Sequence, residues 1–425
     1  MIDRVKHPLL RERGDGHASV GNAELFFDLV YVFAITQISH FLLKHHDAAG
    51  MIEGLILILA VWWAWIYMVW ATNWLDPESG PVRILIFATM LVGLVMSASI
   101  PEAFGERGLW FACSYIGVQV IRTAIVASLV RPLSPQLSMN LWRATVWFAA
   151  TIPLWIYGAF QPAETRSLLW GIAILINSAG PACMFWVPGM GVSHTRDYPV
   201  SGGHMAERCA LLIIVALGEY LLVSGGAFSE LEWNWLSITA FASAFAGSVL
   251  LWWIYFDFGM ERGARTISHH ADSGRIARDA YTYMHIPIVA GIIIAAVGDE
   301  MGLAEPLARS EPLFIGTAVG GPALFIAGTM TFKRMTSGRP WFPLSHLAGL
   351  GLLAVVAAWG LLAEPTRLVL GVGVGAALLT VAVWEWGSYH GGWAERGMPQ
   401  PEFFRRRAEA KLAKVEGSPE SDDGA

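Results

Sequence analysis

Two acidic residues lie one helical turn apart in an apolar stretch near the start of the chain. Glu24 and Asp28 are four positions apart, so on an α-helix both side chains point from one face. A charge at the centre of a bilayer costs at least about 2.5–3.5 kcal/mol on insertion scales. We therefore expect this face to contact protein or water, where its carboxyl groups can bind a cation or exchange protons. Gln37 and His40 add polar groups closer to the opposite side of the same helix.

A second apolar stretch, in the middle of the chain, carries further charged groups. Glu207 and Arg208 lie near its start, and Glu219 follows twelve residues after Glu207. At 1.5 Å per residue Glu219 is about 18 Å farther along, near mid-membrane and without a charged neighbour in its own segment. Arg208 should lie at the depth of the two acids of the first stretch, which predicts a salt bridge between the stretches. A Glu207–Arg208 interfacial pair and a neutral, hydrogen-bonded Glu219 are the simpler structural alternatives.

Arg122 lies in the middle of another apolar segment. A buried guanidinium needs a counter-ion, and Glu219, Glu53 or Asp28 could serve. A fixed structural ion pair is the plain alternative to a functional role.

Other candidates lie at the ends of apolar segments. Asp257 follows several aromatic residues, which more often form an interfacial belt than a substrate cage. Asp299 and Glu300 are expected to end their segment on the outer side, either as a mouth for cations or as a solvated helix end. His285 is most simply a buried histidine with satisfied hydrogen bonds. Glu385 is expected to reach the interface by extending its side chain.

Signals typical of soluble enzymes are absent from the sequence. It contains no GxxxxGK[ST], HExxH or GxSxG motif, so we predict no enzymatic activity. His204 with Glu207, and the pair His269–His270, have no convergent partners in sequence, so we predict no metal site. We also predict no cofactor and no nucleic-acid partner. No disulfide framework is expected, because all three cysteines lie inside apolar segments: Cys113, Cys183 and Cys209.

The composition indicates that these residues lie in membrane helices. The chain is 55% hydrophobic and 15% charged, with a mean hydropathy of +0.50, whereas soluble domains carry about 25% charged residues. We predict an all-α polytopic membrane protein with about twelve spans. The predicted spans are residues 23–43, 51–73, 82–101, 109–130, 140–160, 168–188, 204–226, 235–258, 281–299, 312–334, 342–363 and 367–387.

The distribution of basic residues predicts the orientation. With twelve spans, 21 Lys and Arg residues fall on the side of both termini and five on the other side. Because basic residues are enriched in cytoplasmic loops, both termini should be cytoplasmic. With an odd number of spans the basic residues would not divide so unevenly between the two sides. The division therefore also favours an even number of spans. We therefore expect a multi-pass protein of a bacterial cytoplasmic membrane whose surroundings are the lipid bilayer.

The two halves of the chain resemble each other. Trp65-Ile-Tyr67 in the second predicted span recurs as Trp253-Ile-Tyr255 in the eighth, and Glu24 corresponds to Glu207. We predict two parallel six-helix repeats related by a pseudo-two-fold axis along the membrane normal. The predicted organisation is an N-terminal cytoplasmic segment (1–22), a first repeat (23–188), a linker (189–203), a second repeat (204–387) and a basic, then disordered tail (388–425).

Several motifs together resemble the bacterial low temperature requirement protein A family over about residues 20–390. The first is Glu24-Leu-Phe-Phe-Asp28-Leu-Val-Tyr-Val-Phe-Ala-Ile-Thr-Gln37-Ile-Ser-His40, and the second is His204-x-x-Glu207-Arg208 followed by Leu-Gly-Glu219. The others are Trp252-Trp-x-Tyr-Phe-Asp257, and His285-x5-Gly291 followed by Gly298-x-Glu300. Cys209-Ala210 departs from the usual aromatic and Gly after Glu-Arg, which affects local packing but not charge. The resemblance implies an integral membrane protein connected by name with growth in the cold, but no mechanism.

Three functions fit these observations. The first is a proton-coupled secondary transporter of a small solute or ion, with Glu219 and Asp28 as proton sites and Glu24 and Arg208 as a gating pair. The second is a cation or proton channel, to which the short Phe-Phe-Asp28 likeness to the endolysosomal and bacterial potassium channel family adds an architectural analogy. The third is a non-transporting, cold-related sensor or scaffold. The sequence determines neither the substrate nor an oligomeric state.

Overall fold

The computed structural model describes residues 9–11, 20–45, 47–198, 200–257, 272–337 and 341–389. Within them the regular structure is helical, apart from isolated β-bridges. The α-helices are α1 Asn22–Lys44, α2 Ala48–Trp74, α3 Gly80–Ser99, α4 Gly108–Ile116, α5 Arg122–Val130, α6 Pro135–Ala150, α7 Ile152–Ala159, α8 Ala163–Ala182, α9 Gly202–Ser229, α10 Trp235–Phe256, α11 Ser273–Ile276, α12 His285–Ala304, α13 Pro312–Ala318, α14 Gly320–Thr336, α15 Leu344–Ala363 and α16 Arg367–Tyr389.

Ten helices, some built from adjoining helical segments, are long and apolar enough to cross a membrane within the described residues. The chain is therefore a multi-pass membrane protein. The ten runs are Asn22–Lys44, Ala48–Trp74, Gly80–Glu102, Gly108–Val130, Gly202–Ser229, Trp235–Phe256, Ser273–Ala304, Pro312–Thr336, Leu344–Ala363 and Arg367–Ser388. They correspond to ten of the twelve spans that the sequence predicts.

The predicted fifth and sixth spans differ from the structure. The fifth is divided at Thr151 into α6 and α7, because Pro153 in the first turn of α7 has no N–H to continue the hydrogen-bond pattern. The sixth begins earlier than predicted and ends at Ala182 instead of residue 188. There the chain leaves the helix through Met184 and Phe185, whose φ angles of 53° and 45° lie in the left-handed region.

Among the described residues, two π-helical segments interrupt the α-helical hydrogen bonding. One, Gly117–Ile121, joins α4 to α5, and the other, Ala277–Tyr283, lies between α11 and α12. Such segments are rare and occur frequently at functional sites. Both therefore mark places where the backbone departs from the geometry that apolar helices adopt most easily.

The most buried membrane-length helix is α2, which lies at the centre of the bundle. Trp63 and Trp65 on α2 are fully buried. Helix α1 packs against α2, α3, α9 and α12, so it links the two halves of the chain. Large apolar side chains remain exposed on outward faces, which suits contact with lipid: Ile84, Leu91, Leu222 and Leu362.

The predicted terminal segments lie mostly outside the described residues. Of the predicted cytoplasmic segment 1–22, the structure describes only residues 9–11 and 20–22, and of the tail 388–425 only the first two residues. The domain boundaries stay predictions. Cys113 and Cys183 lie exposed rather than buried, and only Cys209 is in the core.

Candidate functional site

Arg208 on α9 forms a buried ion pair with Asp28 on α1. Its Nη2 donates to Asp28 Oδ1 at 2.6 Å, and its Nη1 lies 3.4 Å from Glu24 Oε1. The four-residue spacing of the acids places both carboxylates before one guanidinium. The salt bridge predicted between the two stretches is therefore present. The predicted Glu207–Arg208 alternative is not, since Arg208 turns to α1 and Glu207 is half-buried.

Three further groups contact the carboxylate of Glu24, which lies in the first turn of α1. Its Oε2 accepts hydrogen bonds from Arg11 Nη2 at 2.6 Å and from the Gly21 backbone N–H at 2.9 Å. The Gly21 bond also caps α1, because it satisfies an N–H that the helix leaves open. Oε1 lies 2.7 Å from His204 Nε2. Glu24 is thus fully buried, yet it is surrounded by donors from three parts of the chain.

The orientation of His204 is determined by Asn73 on α2. The Asn73 amide pairs with the backbone of Ser201, donating to its carbonyl at 3.0 Å and accepting from its N–H at 2.9 Å. The amide nitrogen also lies 3.1 Å from His204 Nδ1. This arrangement assigns Nδ1 as the acceptor and Nε2 as the donor to Glu24. Both ring nitrogens therefore form hydrogen bonds, one with Glu24 and one with Asn73. Neither nitrogen of this histidine has a free lone pair to bind a metal.

Asp28 has one satisfied oxygen and one that is not. Oδ1 also accepts from Trp65 Nε1 at 2.8 Å, and the Arg208 guanidinium lies 5.9 Å from the centroid of the Trp65 ring. Oδ2 is buried without a hydrogen-bond partner among the residues that the structure describes, and so is the Tyr31 hydroxyl one turn along α1. A carboxylate with a vacant oxygen in an apolar setting can accept a proton there.

Glu219 is 4% exposed and lies apart from these ion pairs. Its neighbours are the Thr36 hydroxyl and the His40 imidazole, both on α1. No ion pair of Glu219 is present within the described part of the chain. His40 is exposed and Gln37 is half-buried. Glu219 therefore lies between the core and the exposed His40 imidazole.

Asp299 and Glu300, which were expected to end their segment, lie inside α12 instead. Helix α12 continues to Ala304, so Asp299 lies one turn inside it and is half-buried. Its Oδ2 accepts a hydrogen bond from the Tyr220 hydroxyl on α9. Glu300 is half-buried, and its Oε2 has no hydrogen-bond partner among the described residues. The sequence could not reveal the Tyr220 contact, because the two residues are 79 positions apart.

Arg122 does not pair with any of the acids suggested for it. Its Nη1 donates to the Ala64 carbonyl at 2.8 Å, and its Nη2 donates to Gln119 Oε1 at 2.7 Å. The guanidinium lies 5.6 Å from the centroid of the Tyr67 ring. Glu53, one suggested partner, accepts from Ser167 instead. Arg122 thus contacts a carbonyl of α2 and side chains of its own helical run instead of a carboxylate.

His285 is a buried, satisfied histidine. Nδ1 lies 3.1 Å from the Ala280 carbonyl and Nε2 lies 2.9 Å from the Tyr255 hydroxyl. Since a carbonyl can only accept, Nδ1 carries the proton and Nε2 accepts from tyrosine. Asp257 directly follows the last residue of α10 and is half-buried.

A second buried charge cluster was missed by the sequence analysis. Lys333 on α14 forms an ion pair with Glu385 on α16, and His346 Nδ1 lies 3.2 Å from the other Glu385 oxygen. Lys333 also donates to the Ile254 carbonyl of α10 at 3.1 Å. The prediction that Glu385 reaches the interface is wrong, because it is only 3% exposed. The cluster joins four helices, and the linear spacing of these residues in the sequence does not reveal it.

The described residues contain no group of three His, Cys, Asp or Glu side chains placed to hold a metal ion. Membrane-length helices around buried carboxylates and guanidinium groups define a multi-pass membrane protein with an ionisable interior. Residues 19–383 match the bacterial low temperature requirement A protein (LtrA) family, and the chain belongs to that family. The resemblance found in the motifs is thereby confirmed.

The chain is also similar to an uncharacterized protein of Rhizobium meliloti (strain 1021). The two are 37% identical over 390 residues, which cover 91% of this chain and 93% of the relative. No solved structure matches the chain.

Proposed function

We propose that the protein is a proton-coupled secondary transporter of a small solute or ion in the bacterial cytoplasmic membrane. The observation that carries this proposal is Glu219, a buried carboxyl group without an ion pair in the described residues. It can gain and lose a proton without breaking a salt bridge. Intramembrane acids of this kind recur in proton relays of pumps and transporters.

The remaining ionisable groups support a path along α1 and α9. Asp28 and Arg208 lie on one side of Glu219 along these helices, and the Tyr220–Asp299 pair lies on the other. Exposed His40 connects Glu219 with the surface. A guanidinium held between two carboxylates can exchange partners when one carboxyl is protonated, which gives Asp28, Glu24 and Arg208 the role of a gate.

We further propose that the chain crosses the membrane twelve times in two parallel repeats. Helix α1 packs against α2 and α3, and α9 packs in the same way against α10 and α12. Likewise α8 contacts α2, and α16 contacts α10. This correspondence favours α6 with α7, and α8, as the two further crossings. In this proposed arrangement the path lies where the two repeats meet, as in other transporters built from repeats.

The test is proton flux into proteoliposomes that contain a pH-sensitive dye, with imposed gradients of amino acids, organic acids and monovalent cations. The wild type should move protons with at least one solute, saturably, and Glu219→Gln should abolish this flux while the protein stays folded. Glu230→Gln, which changes an exposed carboxyl just after the same helix, is the matched control and should keep the flux.

Other outcomes identify the alternatives. A proton or cation current without any solute would indicate a channel. Absence of flux for every member of the panel, in folded wild-type protein, would contradict transport and favour the sensor or scaffold.

A further inference from the structure

A cavity lies between the N-terminal half of the chain and the segment before α12, and Glu24, Asp28 and Arg208 are not among its lining residues. It contains about 730 Å³ of empty space, part of which is open to the outside. Its walls come from the C-terminal part of α2, α5, α6, the end of α8, the following loop and the segment before α12. Five of the eighteen lining residues are aromatic: Tyr67, Trp70, Trp74, Phe185 and Tyr198.

Arg122 supplies a positive charge to this cavity. The side chain is 2% exposed, and no carboxylate forms an ion pair with it in the part of the chain that the structure describes. Its N–H groups donate hydrogen bonds to a carbonyl, an amide and a hydroxyl oxygen. All three acceptors are neutral, so the positive charge of the guanidinium is not balanced by a negative one. Burying an isolated charge is costly unless a counter-ion arrives.

The other lining residues add no negative charge. No aspartate or glutamate is among them, and every one of them lies in the described part of the chain. Burial raises the pKa of Tyr198, in the loop, to about 12, so this phenol stays neutral. Arg278 lines the cavity as well, with its Nε bonded to Asp279 at 2.7 Å. The cavity is therefore positive and has aromatic surfaces for an apolar body.

Backbone geometry singles out the same place independently. The π-helical segment Gly117–Ile121 ends directly before Arg122, and its Gln119 holds the guanidinium. The second π-helical segment, Ala277–Tyr283, contributes Arg278 and Thr282 to the opposite wall. Trp70 Nε1 donates to the Thr282 hydroxyl at 3.0 Å, which ties this segment to α2. Of the two π-helical segments within the described residues, one lines the cavity and the other ends at the residue before Arg122. Such segments occur frequently at functional sites.

We propose that this cavity binds a small organic anion, with its carboxylate or phosphate at Arg122 and its apolar body against the aromatic walls. The Tyr67 hydroxyl, buried without a hydrogen-bond partner among the described residues, is a further donor for the anion. Binding at this site does not require transport. The binding proposal is therefore tested independently of the function proposed above.

The experiment is calorimetric titration of purified full-length protein in detergent with benzoate and 1-naphthoate. Benzamide, which has the shape of benzoate without its charge, is the ligand control. We expect the acids to bind, benzamide to bind at least about tenfold more weakly, and Arg122→Gln to weaken the acids by a similar factor, because a charged hydrogen bond is lost. Tyr67→Phe should weaken them about two- to tenfold. Arg83→Gln, at an exposed arginine, should change nothing.

If Arg122→Gln fails to fold, a second pair of variants tests the proposal: one substitution fills the cavity and the other adds the same side chain outside it. Ala144 lines the cavity and Ala150 is exposed on the same helix, so Ala144→Phe should abolish binding and Ala150→Phe should preserve it. The proposal is overturned if neither acid binds at millimolar concentration, if benzamide binds as well as benzoate, or if Ala144→Phe binds like wild type. Binding of phosphatidylglycerol alone, without the aromatic acids, would assign the cavity to a lipid headgroup and also overturn it.

Discussion

At the scale of single residues, Arg208 determines how two carboxylates are tolerated inside the protein. Its guanidinium faces Asp28 at 2.6 Å and Glu24 at 3.4 Å, and both acids are buried. In an apolar interior such a pair is weak evidence for added stability, because desolvation offsets much of the attraction. Removal of one partner is different, since it leaves an uncompensated buried charge.

Arg208→Gln is therefore expected to destabilise the protein by about 3–5 kcal/mol. The measurement is unfolding of the detergent-purified protein followed by intrinsic tryptophan fluorescence. Arg83→Gln removes a half-exposed pair with Glu78 and should change the free energy of unfolding by at most about 1 kcal/mol. Equal destabilisation by the two substitutions would show that the Arg208 pairs do not have the energetic importance argued here.

At the scale of elements, glycines allow α12 to contact α13 and α14 backbone to backbone. A Cβ added at Gly291 would lie 2.6 Å from the Phe325 nitrogen, and one added at Gly298 would lie 2.7 Å from the Ala318 Cα. Small residues permit such close approach in membrane helices, where dispersion contacts replace the hydrophobic effect. Gly291 and Gly298 also belong to the motifs that the chain shares with its family, and this packing is a physical reason for them.

Gly291→Ala should consequently destabilise the protein by about 1–3 kcal/mol through overpacking. Gly316→Ala is the matched control, because a Cβ at this position of α13 would have nothing within 4 Å. It should be neutral or stabilising by up to about 1 kcal/mol. Thermal melting of both variants checks this. A Gly291→Ala protein that melts at or above the wild-type temperature would contradict the close packing of α12.

At the scale of the whole molecule, the orientation follows from the uneven distribution of Lys and Arg. Green fluorescent protein fused after Ala425 should fluoresce and alkaline phosphatase fused there should be inactive, because the C-terminus is expected in the cytoplasm. Fusions after Glu106, in the segment between α3 and α4, should behave in the opposite way. Active phosphatase at the C-terminus would invert the topology or require an odd number of spans.

The sequence by itself determined the features that depend on neighbouring residues. Hydropathy over about twenty residues predicted the apolar helices, and the four-residue spacing of Glu24 and Asp28 placed them on one face. Their depth relative to Arg208 predicted the pair between α1 and α9. These features follow from helix geometry and from the cost of charge in lipid, both of which act locally.

Only the tertiary structure decided the contacts between distant parts of the chain. Arg122 was expected to meet an acid, yet it lies beside Tyr67 and Gln119 at an aromatic cavity. Glu385 was expected at the interface, yet it pairs with Lys333 across helices. The physical reason is that hydropathy and spacing specify which face of a helix is buried, whereas the partner of a buried charge depends on which helix packs against that face.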